Sequence, residues 1–486
     1  MGITKRIRSA VMSFLRIQPA ESTPFTVREL MDYKANAFKN QIWYRGDSYE
    51  LDQLYKQIEN HNASFWGSVP TKGMEIRKIH TGLPKTIVNT LTNLVVSDLS
   101  EIKVDNAGKQ ELWDQIAYEN KFDKVIRKAT KNVLVSGDGA FKISFDPEVS
   151  TLPIIEYVNG ENIEIVSKRG RVSEIQFYSE YRDKKGNKFM LREDYGFGYV
   201  KYHLYRGENE VGVEALEETA HLVDIGFDKS IMLAVPYMLQ ESDKYEGRGQ
   251  SIFDSKIDNF DSLDEAWSQW MDALRTGRAK TYIPETLLPR NPETGEVIRP
   301  NAFDNRFIKI ESDLAEGATN KVDTQQPAIP TNDYLATYVT ALDLCLQGIV
   351  SPSTLGIDVK KLDNAEAQRE KEKTTLYTRG TIIEALTAVI KAVVNVALQA
   401  NDLQSGQIPT VENVTVSFGE YATPSFESVV ETLSNPNTPM SIEAKVMEMW
   451  GGSKDDQWIE EEIRRVKEQS GIITMDEPAL NNEPLF

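Results

Sequence analysis

One predicted helix, from Asp363 to about Ala400, constrains the fold more than any other segment. Asp363 and Glu366 form a box-like N-cap, and the helix would be roughly 55 Å long at about 1.5 Å per residue. Its first half is almost wholly charged, whereas its second half is apolar. The charged residues are Arg369, Glu370, Lys371, Glu372 and Lys373, and the apolar ones are Ile382, Ile383, Leu386, Val389, Ile390 and Val393. The two halves must therefore see different surroundings.

Two shorter helices precede this one and enclose an insert. The first runs from about Asp254 to Thr276 and is ended by Gly277, and the second follows Pro330, where Thr331 or Asn332 can cap it. The apolar stripes are Ile257, Phe260, Leu263, Trp267, Trp270 and Leu274, and then Leu335, Tyr338, Val339, Leu342, Cys345, Leu346 and Ile349. The insert is rich in Pro, Gly and Asn, with strand-like pieces at Lys280–Ile283 and Arg306–Ile310. It is expected to be a small, weakly cored module.

The N-terminal half is predicted to be an α+β region, mostly antiparallel. Its helices are a segment from Thr26 to Asn60 interrupted at Gly46-Asp47-Ser48, where Ser48 can cap a second helix, a core helix from Pro84, and a helix from Phe122 to Val135. The turn Gly137-Asp138-Gly139 ends the last helix. Strands follow at Ala140–Phe145, Pro153–Val158, Ile163–Val166, Glu174–Tyr178, Phe189–Glu193 and Gly198–Tyr205. Near the C-terminus we predict a strand at Val414–Phe418 and helices at Ser441–Trp450 and Ser453–Gln469.

The first seventeen residues combine basic and apolar side chains. They include Lys5, Arg6, Arg8 and Arg16 beside Ile7, Val11, Met12, Phe14 and Leu15. This pattern is typical of a basic amphipathic helix, which acts either as a membrane-surface or partner-docking arm or as a locally packed N-terminal helix. Local packing is favoured, and membrane attachment is not expected.

Composition limits the class of protein. The chain has 486 residues, 40% of them hydrophobic, which is enough for real cores and too little for a membrane protein. No uninterrupted apolar run approaches the roughly 20 residues that span a bilayer, and the N-terminus lacks a secretory signal pattern. The single cysteine, Cys345, cannot form an intrachain disulfide and is expected to be a small buried apolar residue. We expect a soluble chain inside a cell or particle.

The net charge of -19 argues against a protein that grips nucleic acid over a broad basic face. A channel through which DNA slides is a different case. A strongly basic wall would hold the duplex, whereas an acidic wall with a few lysines lets it pass.

No motif in the sequence predicts catalysis. The four histidines lack metal-pair spacing, and one cysteine excludes Cys-rich zinc patterns. Gly137-Asp138-Gly139 follows a helix and opens a strand, which is the reverse of a phosphate-binding loop, and residues 246–251 are interpreted as a hinge. Acidic pairs such as Asp455-Asp456 are typical of a solvated face. We therefore expect no enzyme activity, no metal site and no cofactor.

The order of these elements resembles the portal family of double-stranded DNA bacteriophages, particularly those of Gram-positive hosts, from about Asn40 to Gly471. The resemblance rests on the sequences Ile42 to Asp47, Pro84 to Asp98, Leu134 to Ala140, Asp261 to Trp270, Ser351 to Gly356 and Ser441 to Val446. Each motif is weak alone, but their shared order is specific.

The resemblance implies a ring, usually of about twelve subunits, in which this chain has a portal-type α+β fold. The implied parts are N-terminal helices and an α/β wing (residues 1–253), a stem helix (254–277), a clip (278–330), a second stem helix (331–350), a tunnel loop (351–363), a long wing helix and strand (364–420), a helical crown (421–471) and a flexible tail (472–486).

The resemblance also implies site residues. The residues that face DNA in the tunnel loop are Ser353, Thr354, Asp358, Lys360, Lys361 and Asp363. The residues that bind partners in the clip are Arg290, Asn291, Glu293, Glu296 and Arg299. The residues that pack the stem are Trp267, Trp270, Leu342 and Leu346. For Lys360 and Lys361, a contact with passing phosphates and simple solvation of the loop are equally favoured.

The implied function is a channel at one capsid vertex for packaging, retention and ejection of the genome. The implied partners are further copies of the chain, double-stranded DNA, the large terminase subunit, a head-completion or connector protein, and capsid and scaffold proteins. The implied location is the virion, with assembly in the host cytoplasm. The alternatives are an acidic adaptor ring without a DNA channel and a carboxylate-dependent magnesium hydrolase.

Overall fold

The computed structural model describes residues 31–58, 64–70, 75–284, 290–296, 307–310, 323–357, 365–419, 441–450 and 456–469. The chain divides into two units, residues 1–418 and 419–486. The described part of the first unit combines groups of helices with a run of nine consecutive strands, from Asp138 to Met238, in agreement with the predicted α+β class. The division into wing, stem, clip, tunnel loop, crown and tail stays a prediction.

The described residues contain ten α-helices. They are α1 (Tyr33–Arg45), α2 (Ser48–Tyr55), α3 (Leu83–Val96), α4 (Ala107–Asn120), α5 (Phe122–Ser136), α6 (Ile257–Thr276), α7 (Thr331–Leu346), α8 (Ala365–Gln404), α9 (Ile442–Trp450) and α10 (Asp456–Gln469). Helices α9 and α10 belong to the second unit, where Lys467 Nζ lies 2.5 Å from Glu443 Oε1. Their hydrogen bond lowers the pKa of Glu443 to about 2.

The described strands form four sheets. They are β1 (Leu99–Val104), β2 (Asp138–Ser144), β3 (Ile154–Asn159), β4 (Ile163–Lys168), β5 (Arg171–Arg182), β6 (Lys188–Gly196), β7 (Tyr199–Arg206), β8 (Asn209–Val211), β9 (Ile225–Gly226), β10 (Ala234–Met238), β11 (Lys280–Pro284), β12 (Phe307–Ile310), β13 (Asp323–Gln325) and β14 (Val414–Phe418). The largest sheet has the order β4-β5-β6-β7-β8, with β9 beside β7, and a smaller one has the order β10-β2-β3. Strand β1 pairs with β14, and β11 lies between β12 and β13. Each of these pairs is antiparallel except β11 with β12.

The apolar half of α8 lies at the centre of the core in the first unit. It packs against α3, α4, β2, β10 and β14, and Leu386, Ile390 and Val393 are fully buried. This confirms the expected surroundings of that half. Among the described helices, Lys373–Gln404 is also long and apolar enough to cross a membrane. Burial of one face in the protein core accounts for this composition, while Glu384 and Lys391 on the opposite face are exposed.

Most predicted boundaries agree with the structure, but two helix caps were wrong. The N-cap of α2 is Asp47, whose backbone is extended and whose carboxylate accepts the Tyr49 N–H at 2.8 Å, so Ser48 is already helical. Helix α7 begins after Pro330 without a side-chain cap, so neither Thr331 nor Asn332 has that role. The predicted capping residue Asp363 lies outside the described residues.

Helix α6 begins at Ile257, three residues later than predicted. The carboxylate of Asp254 accepts hydrogen bonds from Asn36 and Asn40 of α1 and from the backbone N–H of Ser251. These contacts hold Asp254 in the turn that precedes α6. The start of α6 is therefore fixed by α1, more than two hundred residues earlier in the chain.

A buried ion pair joins the turn after α5 to the segment before α6. Two oxygens of Asp138 accept hydrogen bonds from the Arg248 guanidinium at 2.9 Å, and Gly249 N donates to the same carboxylate at 2.8 Å. Arg248 also donates to Gly160 O and Ile163 O, and it stacks 3.7 Å from the Tyr33 ring. Gly137 caps α5 at φ 106°, as predicted for the end of this helix, but Asp138 and Gly139 already belong to β2 because they pair in its sheet. The sequence did not indicate this network.

The backbones of Gly137 and Gly249 meet at this junction. A Cβ added at Gly249 would lie 2.2 Å from Gly137 O, and one added at Gly137 would lie 2.4 Å from Gly249 O. Both positions therefore require glycine, because larger residues would separate the two segments and break the hydrogen bond from Gly249 to Asp138.

We predict that Arg248→Met lowers the free energy of unfolding by about 3–5 kcal/mol, because it leaves the Asp138 carboxylate buried and unpaired. Urea unfolding followed by tryptophan fluorescence measures the change. The control, Arg182→Met, removes an exposed pair with Glu180 and should lower the stability far less, because exposed ion pairs contribute little. Equal losses in the two variants would show that the buried pair has no special structural role.

Candidate functional site

Helices α6 and α7 pack as an antiparallel pair, and the insert between them in the sequence connects them at one end. At one end, Lys256 Nζ and Asn259 Nδ2 donate to the backbone oxygen of Leu344, at 3.0 and 3.2 Å, and so satisfy a free carbonyl near the end of α7. At the other end, a Cβ added at Gly277 would lie 2.6 Å from Ile329. The two ends of the insert therefore lie side by side.

Four aromatic rings pack between these helices near the insert. Trp267 lies 5.5 Å from Tyr338, and Trp270 stacks on Tyr334 at 6.3 Å with an interplanar angle of 8°. Trp267 and Trp270 lie in this interface and are half-buried, and Leu342 and Leu346 are buried in the core of the first unit, while the stem role of the four residues stays a prediction. Cys345 is buried among them, and burial raises the pKa of its thiol to about 12.

Two buried carboxylates fix the first half of α6 to residues 64–81. Asp261 accepts the backbone N–H groups of Phe65 and Trp66, at 2.6 and 3.1 Å. Asp264 accepts hydrogen bonds from the Trp66 indole and from the backbone and hydroxyl of Thr81, and it pairs with His80 Nδ1 at 2.7 Å. One turn further on, Ser268 Oγ accepts the Ile79 N–H at 2.9 Å.

The two carboxylates act as structural hydrogen-bond acceptors. Burial raises the pKa of Asp261, while the two backbone donors oppose that rise. The side chains of His80 and Asp264 are almost fully enclosed, as a structural contact requires. Sequence reasoning identified the apolar stripe of α6 and missed its polar residues, because nothing in the spacing pairs them with residues almost two hundred positions away.

The predicted tunnel loop is described only at its beginning. Residues Ser353–Leu355 form a short 3₁₀ turn. Ser353 Oγ bonds to Ser351 Oγ at 2.7 Å, and Thr354 Oγ1 bonds to Thr375 Oγ1 of α8 at 3.0 Å. The bond between Thr354 and Thr375 anchors the start of the loop to α8. Asp358, Lys360, Lys361 and Asp363 lie outside the described residues.

The described part of the insert comprises the small sheet and one turn. Arg290, Asn291, Glu293 and Glu296 lie in this turn, where Asn291 N donates to Glu296 O at 2.8 Å and Gly295 N donates to Asn291 O at 2.9 Å. Arg290 Nη1 donates to Gly295 O. The charged side chains at 290, 293 and 296 are exposed, so the turn can present them to a partner. The remaining predicted residue, Arg299, lies outside the described residues.

Within the described ranges, no group of three or more His, Cys, Asp or Glu side chains could hold a metal ion. The expected absence of metal, cofactor and catalytic residues stays a prediction for the chain as a whole.

The described site is therefore a helix pair whose first half is held by buried carboxylates and whose other end carries a small insert. The sequence profile described as "Phage portal protein, SPP1 Gp6-like" matches residues 32–349, from before α1 to just after α7. The chain belongs to this phage portal family. The family is structural rather than enzymatic, which agrees with the expected class of protein.

Similar solved structures come from gene transfer agent particles. A chain of "Virion of native gene transfer agent (GTA) particle" is 11% identical, with a TM-score of 0.41, covering 91% of this chain and 98% of that one. A chain of "Neck of native GTA particle computed with C12 symmetry" is 12% identical, with a TM-score of 0.37, covering 76% and 90%. No curated protein sequence matches the chain.

We predict that Asp264→Asn lowers the free energy of unfolding by about 2–4 kcal/mol, because an amide cannot accept all four donors and leaves some of them buried and unpaired. Hydrogen exchange should also become faster at the backbone N–H of Thr81. The control, Glu265→Gln, changes the neighbouring carboxylate, which accepts from Gln269 on the same helix. Unchanged exchange at Thr81 in Asp264→Asn would contradict the anchoring role of Asp264.

Proposed function

We propose that this chain assembles into a portal ring of about twelve copies at one capsid vertex and that double-stranded DNA enters and leaves through its centre. The observation that carries the proposal is membership of the phage portal family over residues 32–349. The remaining assignments are those expected from the sequence: a virion protein, assembled in the host cytoplasm, with a wing, a two-helix stem, a clip, a tunnel loop and a crown.

The outer face of α7 supports contact between neighbouring stems. Thr337, Thr340 and Leu344 follow i, i+3, i+7 spacing, and all three are exposed. Both threonine hydroxyls bond to backbone oxygens one turn earlier in α7, so this face presents methyl groups and one leucine that is 47% exposed. Small side chains with satisfied polar groups allow another helix to approach closely.

The insert supports contact with other proteins. Its exposed turn at residues 290–296 presents charges of both signs on a backbone held by internal hydrogen bonds. In the proposed ring, Arg290, Asn291, Glu293, Glu296 and Arg299 bind the large terminase subunit during packaging and the head-completion or connector protein afterwards. Capsid and scaffold proteins are the other proposed partners.

The tunnel loop supports a weak, repeated contact with DNA. Its start is anchored to α8, and the sequence places Lys360 and Lys361 a few residues beyond this anchor. Two lysines per copy, repeated by the ring symmetry, contact phosphates at many points without a continuous basic wall. The net charge of -19 agrees with a channel in which DNA moves.

We predict that negative-stain electron microscopy of the purified chain shows rings with an open centre. Leu344→Lys should shift the assembly toward monomers in sedimentation velocity, because it places a charged side chain in the apolar contact proposed between neighbouring stems. Lysine near the end of α7 favours the helix itself, so the fold should be retained. The control, Val149→Lys, alters an exposed apolar residue in the turn between β2 and β3. If the wild-type protein is monomeric across a range of salt and concentration, the ring proposal fails.

We predict that replacing both Lys360 and Lys361 with Ala reduces packaged DNA several-fold while rings still form, because the phosphate contacts are lost. DNA protected from nuclease inside assembled particles measures the effect. The control is Lys184→Ala, which removes an exposed lysine paired with Glu217. Wild-type packaging by the double variant would show that these lysines only solvate the loop.

A further inference from the structure

A groove of about 650 Å³ lies between α1 on one side and α2 with the residues that follow it, up to Ile58, on the other. Its apolar lining comes from both sides, with Ala35, Phe38 and Ile42 on α1 and Leu54 and Ile58 on the other side. Phe38 is 49% exposed, and Tyr49 at the rim is 71% exposed. The groove can hold several large apolar side chains.

The groove begins where the described chain begins. Met31 is the first described residue and lines the groove, and Tyr245 fixes its position by donating a hydrogen bond from its hydroxyl to Met31 O at 3.1 Å. Thirty residues precede it in the sequence. Residues 18–30 can extend up to about 43 Å, so residues 1–17 of the same chain can reach any part of the groove.

The sequence of residues 1–17 complements this surface. Ile7, Val11, Phe14 and Leu15 follow i, i+4, i+7, i+8 spacing, which predicts one apolar helix face. The segment also carries four basic residues and no acidic ones, in a chain of net charge -19. Beside the groove, α2 and its N-cap carry the carboxylates of Asp47, Glu50 and Asp52, of which Glu50 also pairs with Arg45 and Asp52 with Lys56.

We propose that residues 1–17 bind this groove of their own chain as an amphipathic helix, with the apolar face covering Phe38 and the basic face toward α2. The short connection gives the segment a high effective concentration at its own groove, which favours it over a second copy or another partner. The basic amphipathic pattern of residues 1–17 then serves to cover the groove of the same chain. This binding does not depend on ring assembly.

The test is a cross-link within the full-length protein. Ala10 lies at the edge of the predicted apolar face, and Gln53 lines the groove, so the double variant Ala10→Cys, Gln53→Cys places two thiols close together. Cys345 reacts little under these conditions, because the thiolate is the reactive form and burial raises its pKa to about 12. The matched control pairs Ala10→Cys with Lys184→Cys, an exposed position in the turn between β5 and β6.

We expect about tenfold more intrachain cross-link with a short bismaleimide in the groove pair than in the control pair. Mass spectrometry of mixed isotope-labelled and unlabelled protein separates cross-links within one chain from those between copies. Adding Phe38→Ser to the groove pair should reduce the yield several-fold, while circular dichroism shows that the fold is retained.

Three results would overturn the proposal. The first is equal yield in the groove and control pairs. The second is cross-linking only between copies, which would assign the groove to a neighbouring subunit. The third is flotation of the wild-type protein with anionic phospholipid vesicles that is lost on deleting residues 1–17, which would assign the segment to a membrane surface.

Discussion

The structure of the first unit depends on the neutralisation of one buried carboxylate. Removing a carboxylate from water costs several kcal/mol in a folded protein, and Asp138 has no access to solvent. Its charge is balanced by Arg248, 110 residues later, whose guanidinium also satisfies two backbone carbonyls. The same guanidinium stacks on Tyr33. The segments that carry Tyr33, Asp138 and Arg248 must therefore all be in place for the complete network to form. A network of this kind favours one arrangement of the chain over partly formed ones.

The same principle determines the position of α6. Its start is held through Asp254 by α1, and its first half is held through Asp261 and Asp264 by residues 64–81. Its second half contacts α7 through aromatic rings and then leads into the insert. The helix pair is therefore fixed at the body of the unit, while the exposed turn of the insert follows its other end. In the proposed ring, a force on the insert would be transmitted along α6 to hydrogen bonds that are buried and hence costly to break.

The sequence predicted the elements well where apolar periodicity specifies them. Helix α3 and the apolar half of α8 have one buried stripe, and the strands predicted in the N-terminal half pair in an antiparallel manner as expected. The prediction failed for polar residues whose partners are distant in the sequence and are brought close only by folding. Asp138 appeared only as part of a helix-ending turn, and residues 246–251 only as a hinge, because ion pairing across 110 residues leaves no periodic signal. The cap of α2 was misplaced for a local reason, since both Asp47 and Ser48 are good capping residues and the backbone angles decide between them.

Helix α8 has two structural roles: its apolar half packs in the core, and the part nearer its start holds the segment that leaves α7. Its apolar half is enclosed by strands and helices on several sides, so its position relative to the body of the unit is rigid. Nearer its start, Thr375 bonds to Ser351 N and Thr354, and Thr378 Oγ1 donates to Ile349 O at 2.6 Å. The segment that leaves α7 is therefore attached to the same rigid helix that follows Lys360 and Lys361 in the sequence. Both sides of the proposed tunnel loop are tied to one element, so the spacing of these lysines around a ring would be determined by the packing of α8, even though the chain as a whole is strongly acidic.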